Sequence, residues 1–488
     1  MRLSGIGVTS ALALMTFGFG LAGCADVPEW EPSDEFRSKV DAGEKKFNNA
    51  FSGTNGRACA DCHVADDAFG LTPEHVQDLL ENDPDNALFV DFDADVRGTD
   101  NPTFNNLSHG LTRVLIPLPD NMDVIDFAGN VITPPDRVVE VWRAVPGVEN
   151  VANSGPYLYD GRADTLEEQA LGAIELHSQS THAIGNGPLK RIADFQSAQF
   201  SSDRAAFVAS QIADGVPLDA IPIPEDDPMF EASLTPQEAA GKEVFDFACA
   251  GCHGGATGTQ IVDRDIHDAL CFDPLPDGNL ARTFDDLNNN GFLDLATEGG
   301  TLAFPAAPGG CGEFLFIGIT AQTVLGQIGF AFDPQPANVG VNFPMYRFRF
   351  YYDDERTQQW TDLPPIPLFD EFGAPLTDEQ GVPIAGPAGG PIPFTTDPGR
   401  ALITGDPTDW EGFDSPQLRG IAKTAPYFHD NNVNTLEEVV ELYSRAILPA
   451  IPGGFFPPIV PTPQPSFFPG ESLSAQEKAD LVAYLEIL

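Results

Sequence analysis

Two short stretches limit what this chain can become: Cys59-Ala60-Asp61-Cys62-His63 and Cys249-Ala250-Gly251-Cys252-His253. Two thiols three residues apart, with a histidine directly after the second, form the attachment pattern for a c-type haem. The thiols become thioethers to the porphyrin, and the adjacent histidine becomes an axial ligand of the iron. Of the 7 cysteines in the chain, 4 fall in these two pentads, so two covalently bound haem c groups are expected, with His63 and His253 as iron ligands. One zinc shared by both cysteine pairs would leave the two histidines unexplained. A thioredoxin-like redox pair would need a βαβ setting that neither site has.

The pentads belong to a longer repeat. Ala42-Gly43 with Phe47 precedes the first, and Ala240-Gly241 with Phe245 precedes the second, where Thr235, Pro236 and Glu238 give a capping-box start to a helix. Further on, PYLYDGRADTLEEQ at 156–169 and PYFHDNNVNTLEEV at 426–439 align without a gap at an offset of 270, and Thr165 with Glu168 and Thr435 with Glu438 read as capping boxes. The expected architecture is mainly α: two tandem cytochrome c-like haem domains with irregular, partly β insertions. The first domain is placed at 35–231 and the second at 232–488. A β-prone excursion interrupts the first from about Val114 to Val141, and a Gly-, Pro- and Phe-rich insertion of about 258–405 interrupts the second, with Tyr346 to Tyr352 as a strand. Helices are also expected near Glu35 to Phe51, Ser202 to Ile212 and Ser472 to Leu488.

The N-terminus reads as an export signal over 1–23: Arg2, then an apolar run, then Leu21-Ala22-Gly23-Cys24. Those last four residues resemble a bacterial lipoprotein box, which implies lipidation of Cys24 and a tether over 24–34. The expected location is the periplasm or the outer membrane of a Gram-negative-type bacterium, with the lipid as anchor. In an oxidising compartment Cys271 and Cys311 are expected to pair; the bland alternative is two separately buried thiols. With 25 basic against 73 acidic residues, a formal charge of −48 repels nucleic acid and favours a cationic protein partner. The same charge also suits a plain solvated surface in a salty medium. Asp286 to Gly291 imitates the start of a calcium loop, but Thr297 stands at position 12, so an asparagine-rich turn is the simpler reading.

The repeat also separates the two sites. Leu436, Val440, Tyr443 and Ile447 share a helix face, and the residue 270 before Tyr443 is Ala173, on a face with Leu166, Ala170, Ile174 and His177. A phenol ligates iron and a methyl group does not, so Tyr443 is a candidate sixth ligand of the second haem iron. The alternative is a core aromatic at helical spacing.

Both pentads, YDGRADTLEEQA, and DSPQLRGIAKTAPYFHDNNVNTLEEVVELY stand in the order found in the bacterial diheme cytochrome c peroxidases. The chain resembles that family, including the related diheme enzyme that matures tryptophan tryptophylquinone. The resemblance implies that Glu167 is the distal acid that moves protons during peroxide O–O cleavage. It implies a calcium ion held by the carbonyls of Thr424 and Pro426. It also implies hydrogen peroxide as substrate and a small redox protein, of cytochrome c or cupredoxin type, as electron donor. Tyr443 stands where the peroxidases have methionine and the quinone-forming enzyme has tyrosine; Tyr157 stands where the family has glutamine. A removable distal histidine on the loop after the first motif would be His109 or His75. The expected function is therefore reduction of hydrogen peroxide to water. The alternatives are a diheme oxidase acting through a ferryl state on an organic or protein substrate, and a non-enzymatic diheme electron carrier.

Overall fold

The computed structural model describes residues 34–214, 216, 234–249, 253, 316–318, 344–351, 356–357, 359, 362–363, 390–392, 394–405, 407, 410–414, 416–447 and 472–488. The export signal, Cys24, Cys252, Cys271, Cys311 and most of the second insertion lie outside these residues.

The first haem motif is preceded by helix α1 (Asp34–Phe47), whose acidic first turn and basic last turn suit the helix dipole. The polypeptide continues through α2 (Pro73–Asn82), strands β1 (Leu111–Pro117), β2 (Met122–Val124) and β3 (Val138–Ala144), then α3 (Leu166–Leu176), α4 (Asn186–Gln196) and α5 (Asp203–Ala213). Helix α1 packs on α4, and α4 on α3. Gly43 is the contact point: a side chain there would run into the Arg191 carbonyl and the Phe195 Cβ on α4. The backbones can approach this closely only because Gly43 has no Cβ, and buried Phe47 then stacks near Phe195, with ring centroids 4.9 Å apart.

The same crossing recurs before the second motif. Helix α6 (Pro236–Ala248) opens with the expected capping box of Thr235 and Glu238. At Gly241 a side chain would meet the Asp480 carbonyl and the Tyr484 Cβ of the C-terminal helix, and Phe245 lies 5.3 Å from the Tyr484 ring. That later part of the chain comprises strands β4 (Phe316–Gly318), β5 (Phe348–Phe350), β6 (Asp362–Leu363), β7 (Gly390–Pro391) and β8 (Gly412–Asp414). It also holds helices α7 (Ala401–Thr404), α8 (Leu436–Leu442) and α9 (Ala475–Leu485). Ala42-Gly43 and Ala240-Gly241 are therefore helix-crossing signatures.

The 270-residue repeat extends to backbone detail. Tyr157 bridges to Ala163 and Tyr427 to Val433. Leu158 and Phe428 have φ of 74° and 70°, and Gly161 and Asn431 have 62° and 54°. Helices α3 and α8 both start from a threonine whose hydroxyl accepts from the N–H three residues on, Thr165 from Glu168 and Thr435 from Glu438. Only α8 completes the capping box; in α3 the Glu168 carboxylate takes the Asp164 N–H, one residue upstream of the expected one.

The excursion in the first half is an antiparallel pair, β1 with β3, in register from Leu111–Ala144 to Pro117–Val138. β2 reaches across the chain to pair with β5, Met122 opposite Phe350. Val114, Ile116, Val139 and Val141 thus share a core with Phe348, Phe350 and Trp410. The expected strand at 346–352 is shorter, because Tyr346 and Tyr351 make single bridges to Thr395 and Gln359.

Two glycine substitutions test the packing. Gly43→Ala forces α1 off α4 and is expected to cost about 1–3 kcal/mol, as overpacked cores do. Gly172→Ala, in open space on α3, is expected to stabilise by up to about 1 kcal/mol through helix propensity. Denaturant midpoints of the two variants should move in opposite directions.

Candidate metal centres

In the first motif the backbone folds into a single 3₁₀ turn, Cys59–Asp61, which the Asp61 carboxylate closes by accepting the Ala58 N–H at 2.7 Å. The N–H groups of Cys62 and His63 both donate to the Cys59 carbonyl, at 3.1 and 2.9 Å. Both sulfurs and the imidazole therefore come from one tight turn. Burial pushes the Cys59 thiol up to about 12 and Cys62 to about 11, and Cys249 in the second motif likewise reaches about 12. Free, neutral thiols of this kind are unlike the low-pKa thiolates of reactive cysteine pairs. Among the described residues, no group of three or more His, Cys, Asp and Glu is placed to hold a metal ion.

The two histidines are held alike by different means. After His63 the chain turns back through Ala68 and Phe69, with φ of 52° and 59°, so that the Phe69 carbonyl lies 2.9 Å from His63 Nδ1. For His253 the partner is the Pro416 carbonyl, 2.8 Å from Nδ1 and 163 residues away. A carbonyl only accepts, so in each ring Nδ1 carries the proton and Nε2 keeps its lone pair. Burial lowers both histidines, His253 to about 4, and keeps them neutral. Neutral imidazoles with Nδ1 protonated towards a carbonyl, in motifs whose described cysteines Cys59, Cys62 and Cys249 are protonated thiols, fit a c-type haem at both sites.

Around the first turn stand buried charges that no local sequence pattern marks. Arg57 is buried, with Nη1 donating to Asp93 at 2.5 Å and the rest of the guanidinium directed at the Leu88 and Ala87 carbonyls. Asp93 also takes the Arg113 N–H at 2.6 Å. His177, the C-cap residue of α3, lies edge-on to Phe92 at 5.8 Å; burial is the main cause that lowers it to about 4, with Asp93 opposing and Arg57, Arg162 and His63 assisting.

Glu167 sits in the first turn of α3, partly exposed, and its negative charge adds to burial in raising the Tyr157 phenol. Glu437 acts on Tyr427 in the same way, and burial takes that phenol to about 12. Tyr443 begins a stretch of π geometry over Tyr443–Ile447; it stacks on Phe428 at 6.5 Å and packs in the cluster that includes Cys249 and Phe245. His75 lies in the first turn of α2, and His109 Nδ1 is tied to the Asn105 carbonyl at 2.8 Å. Exposed Thr424 donates its hydroxyl to the Ile421 carbonyl at 3.0 Å, and Pro426 follows two residues later.

The expected resemblance to the diheme cytochrome c peroxidases is met by sequence relatives over part of the chain. Cytochrome-c peroxidase IdrP2 of Denitromonas iodatirespirans is 37% identical over 93 residues, 19% of this chain and 21% of that protein. Cytochrome-c peroxidase IdrP1 of Pseudomonas sp. (strain SCT) is 36% identical over 92 residues, 19% of this chain and 21% of that protein. The chain thus spans about a fifth of the length of the curated relatives it matches. No family model matches. Among solved structures, a MauG-like protein associated with microbial copper homeostasis aligns over 95% of this chain and 91% of its own, at 18% identity and a TM-score of 0.35. The diheme peroxidase BthA of Burkholderia thailandensis aligns over 93% and 86%, at 14% identity and a TM-score of 0.33.

One pH dependence follows from the surroundings of these sites. His429 is buried, stacks on Phe413 at 3.9 Å, and is lowered to about 4 chiefly by burial. A histidine lowered in the fold binds its proton only on unfolding, so its stabilisation is present above about pH 6.5 and is lost as pH falls towards about 4. Stability should drop by about 2 kcal/mol between pH 6.5 and 5 through this group. Denaturant titrations of His429→Gln should show a correspondingly shallower dependence across that window.

Proposed function

We infer that the chain is a diheme c-type cytochrome enzyme that reduces hydrogen peroxide to water, H2O2 + 2H⁺ + 2e⁻ → 2H2O, with electrons from a small redox protein. The observation that carries this reading is the pair of neutral histidines, each with Nδ1 tied to a carbonyl and each in a Cys-x-x-Cys-His turn. Cys59, Cys62 and His63 would hold one haem, and Cys249, Cys252 and His253 the other. When bound, the haems supply the redox chemistry and a metal at which peroxide reacts.

The remaining steps fall to side chains. His63 and His253 give a lone pair at Nε2 and keep the Nδ1 proton on a backbone carbonyl, which holds the ring plane and strengthens the donor. Glu167 is the proton carrier: a carboxylate in reach of solvent takes a proton from one peroxide oxygen and returns it to the other. Tyr157, its neighbour, fills the position where the family has glutamine and leaves one hydroxyl to orient the substrate. The first site would be the reaction site, because Ala173 stands in the helix slot that Tyr443 occupies in the other repeat. The second site is the electron entry port. Tyr443 in place of methionine favours a second reading, an oxidase of organic or protein substrates.

The wider reading comprises two haem domains, 35–231 and 232–488, exported after a signal at 1–23 and anchored by a lipidated Cys24 in the periplasm or at the outer membrane. It includes a Cys271–Cys311 disulfide and a calcium ion at the carbonyls of Thr424 and Pro426. Replacing Glu167 by Gln tests the core of it. Peroxide turnover is expected to fall by about 10²- to 10⁴-fold with haem content unchanged. Unaltered turnover would sink the role of Glu167, and an absence of turnover in the parent protein would leave the electron carrier.

A further inference from the structure

The C-cap of α3 carries a partly buried imidazole with no task in the reaction just described. His177 Nδ1 is enclosed by protein and has no hydrogen-bond partner. Burying such a nitrogen unpaired is unfavourable, and each case asks for an explanation. The backbone of His177 is fully used: its N–H donates to the Ala173 carbonyl at 2.8 Å, and its carbonyl accepts from Asn55 Nδ2 at 2.9 Å. The residue is therefore fixed in place while its ring is left without a polar contact at Nδ1.

Its position on the helix points to the first motif. Ala170 and Ile174 bury one face of α3 in the cluster that contains Cys59 and Ala60. His177 continues that face, three residues after Ile174 and seven after Ala170. The turn at His177 is also bonded to the segment that leads into the motif: Asn55 N–H donates to the Ser178 carbonyl at 2.9 Å, and the Ser178 hydroxyl donates to the Arg57 carbonyl at 3.0 Å. His109 is held elsewhere: its Nδ1 is bound to its own turn, and its carbonyl accepts from Asn431, while His75 lies on α2.

We propose that in the resting ferric protein, before peroxide binds, His177 is a second nitrogen donor to the iron held by Cys59, Cys62 and His63, supplied by helix α3 from one turn beyond Ala173. The assignment rests on the reading of that motif as a haem site. A neutral ring with an unpaired nitrogen is a competent ligand, and coordination would satisfy the atom the fold leaves bare.

The test is spectroscopic and needs no turnover. The full haem-loaded protein is examined in the ferric state by EPR and near-infrared magnetic circular dichroism, with haem per chain counted by pyridine haemochromogen. A bis-imidazole low-spin signal for one haem is expected. In His177→Gln it should be lost and replaced by a high-spin signal, and in His177→Met it should shift to an imidazole–thioether band. His75→Gln and His109→Gln should leave it in place. The inference is overturned if the parent protein has no bis-imidazole signal, if His177→Gln retains it, or if a loop-histidine variant removes it. The parent spectrum decides even where a variant does not accumulate. One haem per chain with Cys59 and Cys62 unmodified would overturn the site reading and this inference together. Two haems with an unchanged spectrum in His177→Gln would overturn this inference alone.

Discussion

Arg143 is the residue on which both sites depend. Its guanidinium is buried, donates from Nη1 to Asp160 at 2.5 Å, and grips Asp397 from Nε and Nη2 at 2.6 and 2.9 Å. Asp160 is held in turn by Arg162, and these cations keep its carboxyl below the usual range. Taking such charges out of water costs several kcal/mol per ion, and the network stands only because each carboxylate is matched to a guanidinium by several bonds. What it fixes lies on either side. Six residues after Asp160 helix α3 begins, with Glu167 in its first turn. The Tyr159 carbonyl accepts the Asp414 N–H at 2.7 Å, and two residues beyond Asp414 is Pro416, whose carbonyl orients His253. A displaced Arg143 would therefore be felt both at Glu167 and at the second histidine.

The repeat shows how one backbone can serve two environments. The turns at 156–163 and 426–433 share their bridges and their left-handed residues, yet Tyr159 in one is His429 in the other, and these two rings meet edge-on at 6.3 Å. The carbonyl that orients the motif's imidazole is local in the first motif, six residues on, and remote in the second. The first histidine is thus positioned by its own loop, while the second depends on how distant parts of the chain pack.

This contrast also explains what could be read from the sequence. The Cys-x-x-Cys-His turns, the Gly-Phe helix crossings, the threonine caps and the repeat are all local or periodic, and they stand where the residues place them. α2 was legible in principle, since Thr72 caps it and Pro73 opens it. α4, the partner of α1, begins at Gly185 without a side-chain cap and carries a glycine and a proline in its first turn, so its start left little trace. The Arg143–Asp397 pair spans 254 residues, and β2 finds β5 across more than two hundred. Nothing in a local pattern announces such pairings. Of the site residues, His177 was legible as a member of the α3 face, but its unpaired nitrogen became visible only in three dimensions.

The chain's charge gains meaning from the same interior. It has 25 basic residues for 73 acidic ones, and Arg57, Arg113, Arg143 and Arg419 are buried. Three of them, Arg57, Arg113 and Arg143, pair with Asp93, Glu140, Asp160 and Asp397, so part of the chain's positive charge is used in internal ion pairs. Scattered carboxylates of one sign act at long range, over about 10 Å at 0.1 M salt. They raise the encounter rate with a cationic protein and repel anionic surfaces. These three interior arginines are matched by carboxylates and leave the net charge as it is, so the excess of acidic over basic residues is what a partner meets.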